Sequence, residues 1–347
     1  MLVEETLMLP LDEYQAIRTG TGIVDRSIRG RVALRGQDRL AYLHGLLTND
    51  ILALKPGHGC YSAYLTPQGR MITDMSVLEI EGMTLLDVPS SIQGRLVQMF
   101  DMLVFTEDVQ VVDLTSGWTS IGIYGPSSAG KLAAVFNSKT AVTSEQQLLA
   151  LREHDNIQLV FEEEAVVVTR TNETGLIGFH TFFDRQLSDR FIERLRNEGA
   201  TTVCADIVKI FRIEMGRPEF GVDMDETTIP LEADIQDRAI STTKGCYVGQ
   251  EVIIRVLHRG HGRVVRKLVG LVLDEAVPIS GSLIKKRDKD VGQVTSAVFS
   301  PALGKPIALG YVHRDFVNPG TVVDVVLDGH RQSATVTRLP FCETAAN

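Results

Sequence analysis

From about Val264 the chain changes texture, and this constrains its fold more than any other feature. The runs 267–273, 282–284, 291–296, 307–312 and 321–326 are short, rich in branched residues, punctuated by Gly and Pro, and without a helical period. Branched side chains fit a pleated, half-buried surface, and several short strands at this spacing pack as a sandwich or close as a barrel. A small all-β module is expected here. The run Lys285-Lys286-Arg287-Asp288-Lys289-Asp290 within it reads as a solvated hairpin tip.

Upstream the chain mixes helix and strand. Leu40, Leu43 and Leu47 recur at spacings of three and four, which places them on one face of a helix over 37–47. The runs 61–65, 71–80 and 83–88 read as a strand meander, separated by the turn signals Pro67-Gln68-Gly69 and Glu81-Gly82. A helix follows over 90–102 and strands over 109–114 and 119–124. Pro126 then opens another helix, where its missing N–H costs nothing. Further on, 165–171 and 178–183 are strand-like, Ser188 reads as the N-cap of a helix stopping at Gly199, and 203–215 is a further helix.

Composition narrows the function classes. Against 35 Lys and Arg stand 44 Asp and Glu, a net charge of −9, so no overall positive field draws nucleic acid or anionic lipid. Cys60, Cys204, Cys246 and Cys342 are too few and too irregular for a disulfide framework and include no C-x-x-C pair. Met1 to Pro10 has no basic region before an apolar run, and no window reaches the roughly 18 apolar residues of a membrane span. A cytoplasmic setting is expected, with no nucleic acid, membrane or resident metal.

Several local motifs carry chemistry. Gly125-Pro126-Ser127-Ser128-Ala129-Gly130-Lys131 has the spacing of a phosphate loop, but Leu132 replaces the magnesium-holding hydroxyl and Pro126 removes a donor, so it reads as a helix start. His258 and His261 lie three apart, yet Arg255, Arg259 and Arg263 beside them repel a divalent cation. With Arg266 and Lys267 these residues form the densest basic patch, either a solvated linker or a holder of carboxylates. In Lys244-Gly245-Cys246-Tyr247-Val248-Gly249-Gln250-Glu251, two glycines let the thiol be presented at a turn and Lys244 favours the thiolate. The alternative is a small buried cysteine before a helix beginning near Gln250. Glu214, within Arg212-Ile213-Glu214, suits the amino-amidine edge of a pterin because two oxygens accept two parallel N–H bonds; a salt bridge to an arginine is the other reading.

Taken in order, these segments resemble the folate-binding superfamily that holds the glycine-cleavage T-protein (aminomethyltransferase) and the YgfZ-type iron–sulfur assembly proteins. The likeness runs through Gly22-Ile23-Val24-Asp25-Arg26-Ser27, Leu43-His44-Gly45-Leu46-Leu47-Thr48-Asn49-Asp50, Arg212-Ile213-Glu214, Pro230-Leu231-Glu232-Ala233, Gly292-Gln293-Val294-Thr295-Ser296 and Ile307-Ala308-Leu309-Gly310-Tyr311-Val312. Where the T-protein has Gly-Gly-x-x-Asp-Asp, this chain has Gly69-Arg70-Met71-Ile72-Thr73-Asp74, while Lys244 to Glu251 looks like the Lys-Gly-Cys-Tyr-x-Gly-Gln-Glu signature of the YgfZ branch.

The resemblance implies an α+β fold of three parts in a cloverleaf. Two interleaved α+β lobes over 1–256 and a C-terminal β-barrel over 264–347 would surround a central channel for tetrahydrofolate or a one-carbon derivative. By carry-over Glu214 would hold the pterin, Asp74 and Tyr64 would lie near the ring, and Cys246 would stand at the channel mouth with Lys244 and Tyr247 beside it. The function implied first is a monomeric folate-binding accessory factor for iron–sulfur cluster assembly or repair, serving iron–sulfur enzymes or assembly proteins and not necessarily turning over. The alternative is an aminomethyltransferase of the glycine cleavage system with Asp74 as its electrostatic or general-base residue; a folate-dependent demethylase fragment is a third reading.

Overall fold

The structure is a computed structural model that describes residues 11–137, 143–259 and 262–342. Two antiparallel-rich sheets and a barrel organise it. The larger sheet runs in the order Thr201–Thr202, Gly22–Asp25, Trp118–Tyr124, Gly178–Asp184, Glu164–Thr171, Asn156–Phe161. The other runs Gly59–Leu65, Met71–Ile80, Met83–Val88, Gly30–Arg35, Gln110–Asp113. Consecutive strands Gly22–Asp25 and Gly30–Arg35 thus belong to different sheets, and the short link between them crosses from one lobe to the other. This interleaving, with the closed six-stranded barrel, bears out the expected α+β cloverleaf.

Each lobe is built around its own helices. Ser90–Met102 lays Ile92, Leu96 and Phe100 on the second sheet, and Ser128–Phe136 covers the first with Leu132, Ala133 and Phe136. The latter helix begins just after Pro126, as its sequence predicts. Ser188, expected as an N-cap, instead lies inside the helix Ser188–Asn197. A 3-10 turn, Arg185–Leu187, precedes that helix, and the Asp184 carboxylate caps the turn by accepting from the Gln186 N–H.

The barrel closes in the order Arg266–Leu273, Lys305–His313, Lys289–Ser300, Leu283–Lys286, Val322–Leu327, His330–Thr337. Val269, Leu271, Ile284, Val294, Val325 and Val336 fill it. It is fastened to the lobes through the helix Ala205–Glu214. Ile213 packs among Leu268, Ile307 and Leu309, and Arg212 donates to Asp223 at 2.6 Å while Thr295 and Ser296 of the barrel donate to the same carboxylate. No helix of the described residues is long and apolar enough to cross a membrane. His261 lies outside the described residues, and among these no group of three metal-ligating side chains is gathered.

Candidate functional site

A cavity of about 230 Å³ lies where the two sheets, the crossing link and the helix Ala205–Glu214 meet. That is just below the roughly 300–1,000 Å³ of typical ligand sites, and it suits one end of an extended ligand. The helix presents Ala205, Val208, Lys209 and Arg212 to it, the i, i+3, i+4, i+7 stripe of one helical face.

Strand register places the first chemical pair. Ala63 is paired with Asp74 and Tyr64 with Thr73, so the alternation along both strands puts Tyr61, Ala63 and Asp74 on one face and Tyr64 on the other. Tyr61 and Asp74 both line the cavity, and the Tyr61 phenol donates to Asp74 Oδ2 at 2.6 Å. Asp74 is 8% exposed. Burial raises its pKa above the ordinary 3.8, against the pull of the Tyr61 hydrogen bond, Arg29 and Arg238. The Arg238 guanidinium lies 4.8 Å above the Tyr61 ring.

The crossing link supplies Arg26 and Arg29, which bracket Asp87 at 2.9 and 2.8 Å. Although burial opposes it, the two guanidiniums hold the Asp87 carboxyl well below the usual range. A third cluster comes from the first sheet. The Tyr124 phenol donates to Glu173 Oε2 at 3.1 Å, and His180 Nε2 lies 3.0 Å from Tyr124 Oη and 3.2 Å from the same carboxylate oxygen. Burial works to raise Glu173, but the His180 hydrogen bond and Arg26 bring it down to about 2. His154, 6.4 Å from the Tyr61 ring, is pushed by burial to about 4.

The structure brings Asp74 into this cavity but not the other expected site residues. Tyr64 is sealed on the opposite face of its strand, 5.5 Å from the Phe100 ring. Glu214 follows Arg212 by two residues, about 200° around the helix from the cavity stripe. It is buried against the N-terminal helix and the barrel, where Tyr14 donates to both its oxygens at 3.0 and 3.3 Å and the Ser300 hydroxyl donates as well. The expected salt bridge to an arginine is absent among the described residues. Glu214 thus lies outside the lining of this cavity, with its carboxylate engaged by Tyr14 and Ser300.

The octapeptide loop is likewise placed elsewhere. Lys244 Nζ donates to the carbonyls of His44, Leu47 and Asn49 at 2.5, 2.6 and 3.0 Å, in the last turn of the helix Arg39–Leu46 and just beyond it. Burial lowers its pKa to about 8. Tyr247 is packed among Ala63, Leu65 and Met71, beside the cavity and outside its lining. Gly249 adopts φ 83° and approaches the Thr66 carbonyl where a Cβ would sit 2.5 Å away, so the loop is seated tightly on the hairpin turn. Cys246 is exposed, neither buried before the helix Gln250–Ile254 nor part of the cavity lining.

The cavity lining also holds Tyr61, Asp87, Glu173, His180, Arg217 and Arg238, which sequence reasoning missed. Two signals were available: strand parity with Asp74 selects Tyr61 over Tyr64, and His180 is a lone imidazole in the phenylalanine-rich run 178–183, which is buried on both faces.

Comparison with known proteins adds a lineage to this geometry. The family model GCVT N-terminal domain matches residues 8–244, and the model Glycine cleavage T-protein C-terminal barrel domain matches residues 266–343. An aminomethyltransferase of Rippkaea orientalis is 28% identical over 342 residues, covering 95% of this chain and 88% of the relative. One of Streptomyces coelicolor is 27% identical over 342 residues, with the same coverage. The crystal structure of glycine cleavage system aminomethyltransferase T from Bartonella henselae superposes with a TM-score of 0.85 at 22% identity, covering 96% of this chain and 90% of that one, which establishes the shared fold. The expected iron–sulfur accessory role, with its iron–sulfur partners, is overturned by these findings: relatives spanning nearly the whole chain are named Aminomethyltransferase, the activity that stood as the alternative.

Proposed function

Because this chain belongs to the glycine-cleavage T-protein family, whose N-terminal and barrel domains together match most of its length, we propose that it transfers an aminomethyl-derived one-carbon unit to tetrahydrofolate in the cavity between the two sheets. The aminomethyltransferase family uses tetrahydrofolate. The residues present fit that group. Glu173 keeps one carboxylate oxygen without a hydrogen bond among the described residues, open to pterin N–H donors, while Val24, Val208 and Phe220 offer apolar surface to a ring. When bound, tetrahydrofolate supplies the nitrogens that accept the one-carbon unit.

The rest is the work of this chain's side chains. Tyr61 fixes Asp74 in one orientation, and burial makes Asp74 a stronger base than a solvated carboxylate, suited to taking a proton beside the reacting atoms. The Arg26–Asp87–Arg29 bridge holds the crossing link as a wall, and His180 with Tyr124 orients Glu173. On this reading residues 1–256 form the folate-binding region and 264–347 the barrel that buttresses it. The partners are those of glycine cleavage, with a lipoyl-bearing carrier as donor.

The observation that carries this reading is the Tyr61–Asp74 pair facing the cavity. Transfer from an aminomethylated lipoyl carrier, followed as methylenetetrahydrofolate, should fall by about 10²–10⁴ in Asp74→Asn, the range for losing a positioned acid–base group. Wild-type rates in that variant would overturn the assignment.

A further inference from the structure

We propose that Arg217 and Arg238 form a carboxylate-binding subsite in the cavity wall, beside the Tyr61–Asp74 pair. Both line the cavity. Arg217 is held by its backbone, whose carbonyl accepts from Arg212 Nη1 at 2.6 Å. Its own Nη1 is enclosed with no hydrogen bond, reaching Glu153 Oε1 only at 3.5 Å. Arg238 is fixed by its carbonyl, which accepts from Asn49 Nδ2 at 3.0 Å, and its guanidinium lies over Tyr61 and forms no ion pair among the described residues. The two cations feel each other: burial first and Arg238 second lower the Arg217 pKa.

The other cavity carboxylates are already engaged. Asp87 binds Arg26 and Arg29, Asp74 accepts from Tyr61, Glu173 from Tyr124 with His180 beside it, Glu219 pairs with Arg212, and Asp25 accepts from Ser27. Glu153 is therefore the one carboxylate within ion-pair distance of either guanidinium among the described residues, and it reaches Arg217 alone, which leaves Arg238 open to a further anionic group. A carboxylate matches both the charge and the planar fork of an arginine. A phosphate dianion would overfill the site beside Glu153 and Asp74. The ligand carboxylate belongs either to the one-carbon donor or to the glutamate tail of the folate, an identification that rests on the proposed function; the subsite itself does not.

The test is titration of the intact wild-type protein, Arg238→Gln and Arg217→Gln with acetate, inorganic phosphate, tetrahydrofolate and 6-methyltetrahydropterin, which has no carboxylate. Binding is followed by arginine side-chain NMR and calorimetry, and folding by circular dichroism. Acetate should bind wild type in preference to phosphate, and each variant should lose at least about tenfold in acetate affinity, the cost of one charge-assisted contact, with 6-methyltetrahydropterin affinity unchanged. A parallel loss for tetrahydrofolate assigns the carboxylate to the tail; unchanged tetrahydrofolate affinity assigns it to the donor. Acetate that does not bind wild type, or binds the folded variants equally well, overturns the subsite. Failure of wild type to bind 6-methyltetrahydropterin would count against the folate reading while the acetate result still decides the subsite.

Discussion

The cavity wall and the loop from Lys244 to Glu251 both combine cationic and aromatic side chains, yet they dispose of their charge in opposite ways. In the loop, all three Lys244 donors meet the carbonyls of His44, Leu47 and Asn49, and Tyr247 is packed into a core. What the loop leaves exposed is the Cys246 thiol and the Glu251 carboxylate, and neither lines the cavity. In the cavity, groups from at least six segments face one volume, and their proton affinities are driven apart, Asp74 upward and Glu173 down to about 2. Environments that separate two carboxylates in this way divide acid–base work from binding. A site is made by capacity left facing a shared space; a dense run of suggestive residues does not suffice.

The contrast can be broken at several points. The loss of 10²–10⁴ expected for Asp74→Asn is the largest effect. Next is Lys244→Met, which leaves three carbonyls without their donor and should cost about 1–3 kcal/mol of unfolding free energy in denaturant titration, with transfer by the folded protein retained. A loss of transfer without loss of stability would move the site towards the loop.

Acidification gives a subtler contrast. Asp74 works as a base only when ionised, and burial raises its pKa, so the wild-type rate should fall on an acid limb whose midpoint lies above 3.8. That limb should be missing from the residual rate of Asp74→Asn. A midpoint at or below 3.8 would mean that the carboxylate is not desolvated during turnover. The smallest effect is expected at the exposed thiol: Cys246→Ser should change stability by no more than about 0.5 kcal/mol and leave transfer unaltered. A larger effect on transfer would restore a role for that sulfur.

Much of the architecture is legible in the sequence, for local reasons. The barrel announced itself through branched runs, and the meander through its turn residues. The strand His330–Thr337 escaped because only Gln332, Ala334 and Val336 face inward, leaving no apolar run to see. The site was less legible because its parts are set by angle and parity. Glu214 and Arg212 are neighbours in sequence but point to opposite sides of one helix, and Tyr61 and Tyr64 fall on opposite faces of one strand. Glu173, His180 and Arg238 share no motif at all; only the interleaving of two sheets gathers them.

The central claim is that this cavity, and not the helix–barrel seam or the glycine-flanked loop, receives the pterin. Calorimetric titration of tetrahydrofolate into Glu173→Gln and Glu214→Gln, side by side with wild type, tests it most directly. Glu173→Gln should weaken binding by about tenfold or more, as expected for loss of a charged hydrogen-bond acceptor, and Glu214→Gln, where folded, should bind as wild type does. Unchanged affinity in Glu173→Gln together with a loss in folded Glu214→Gln would contradict the account.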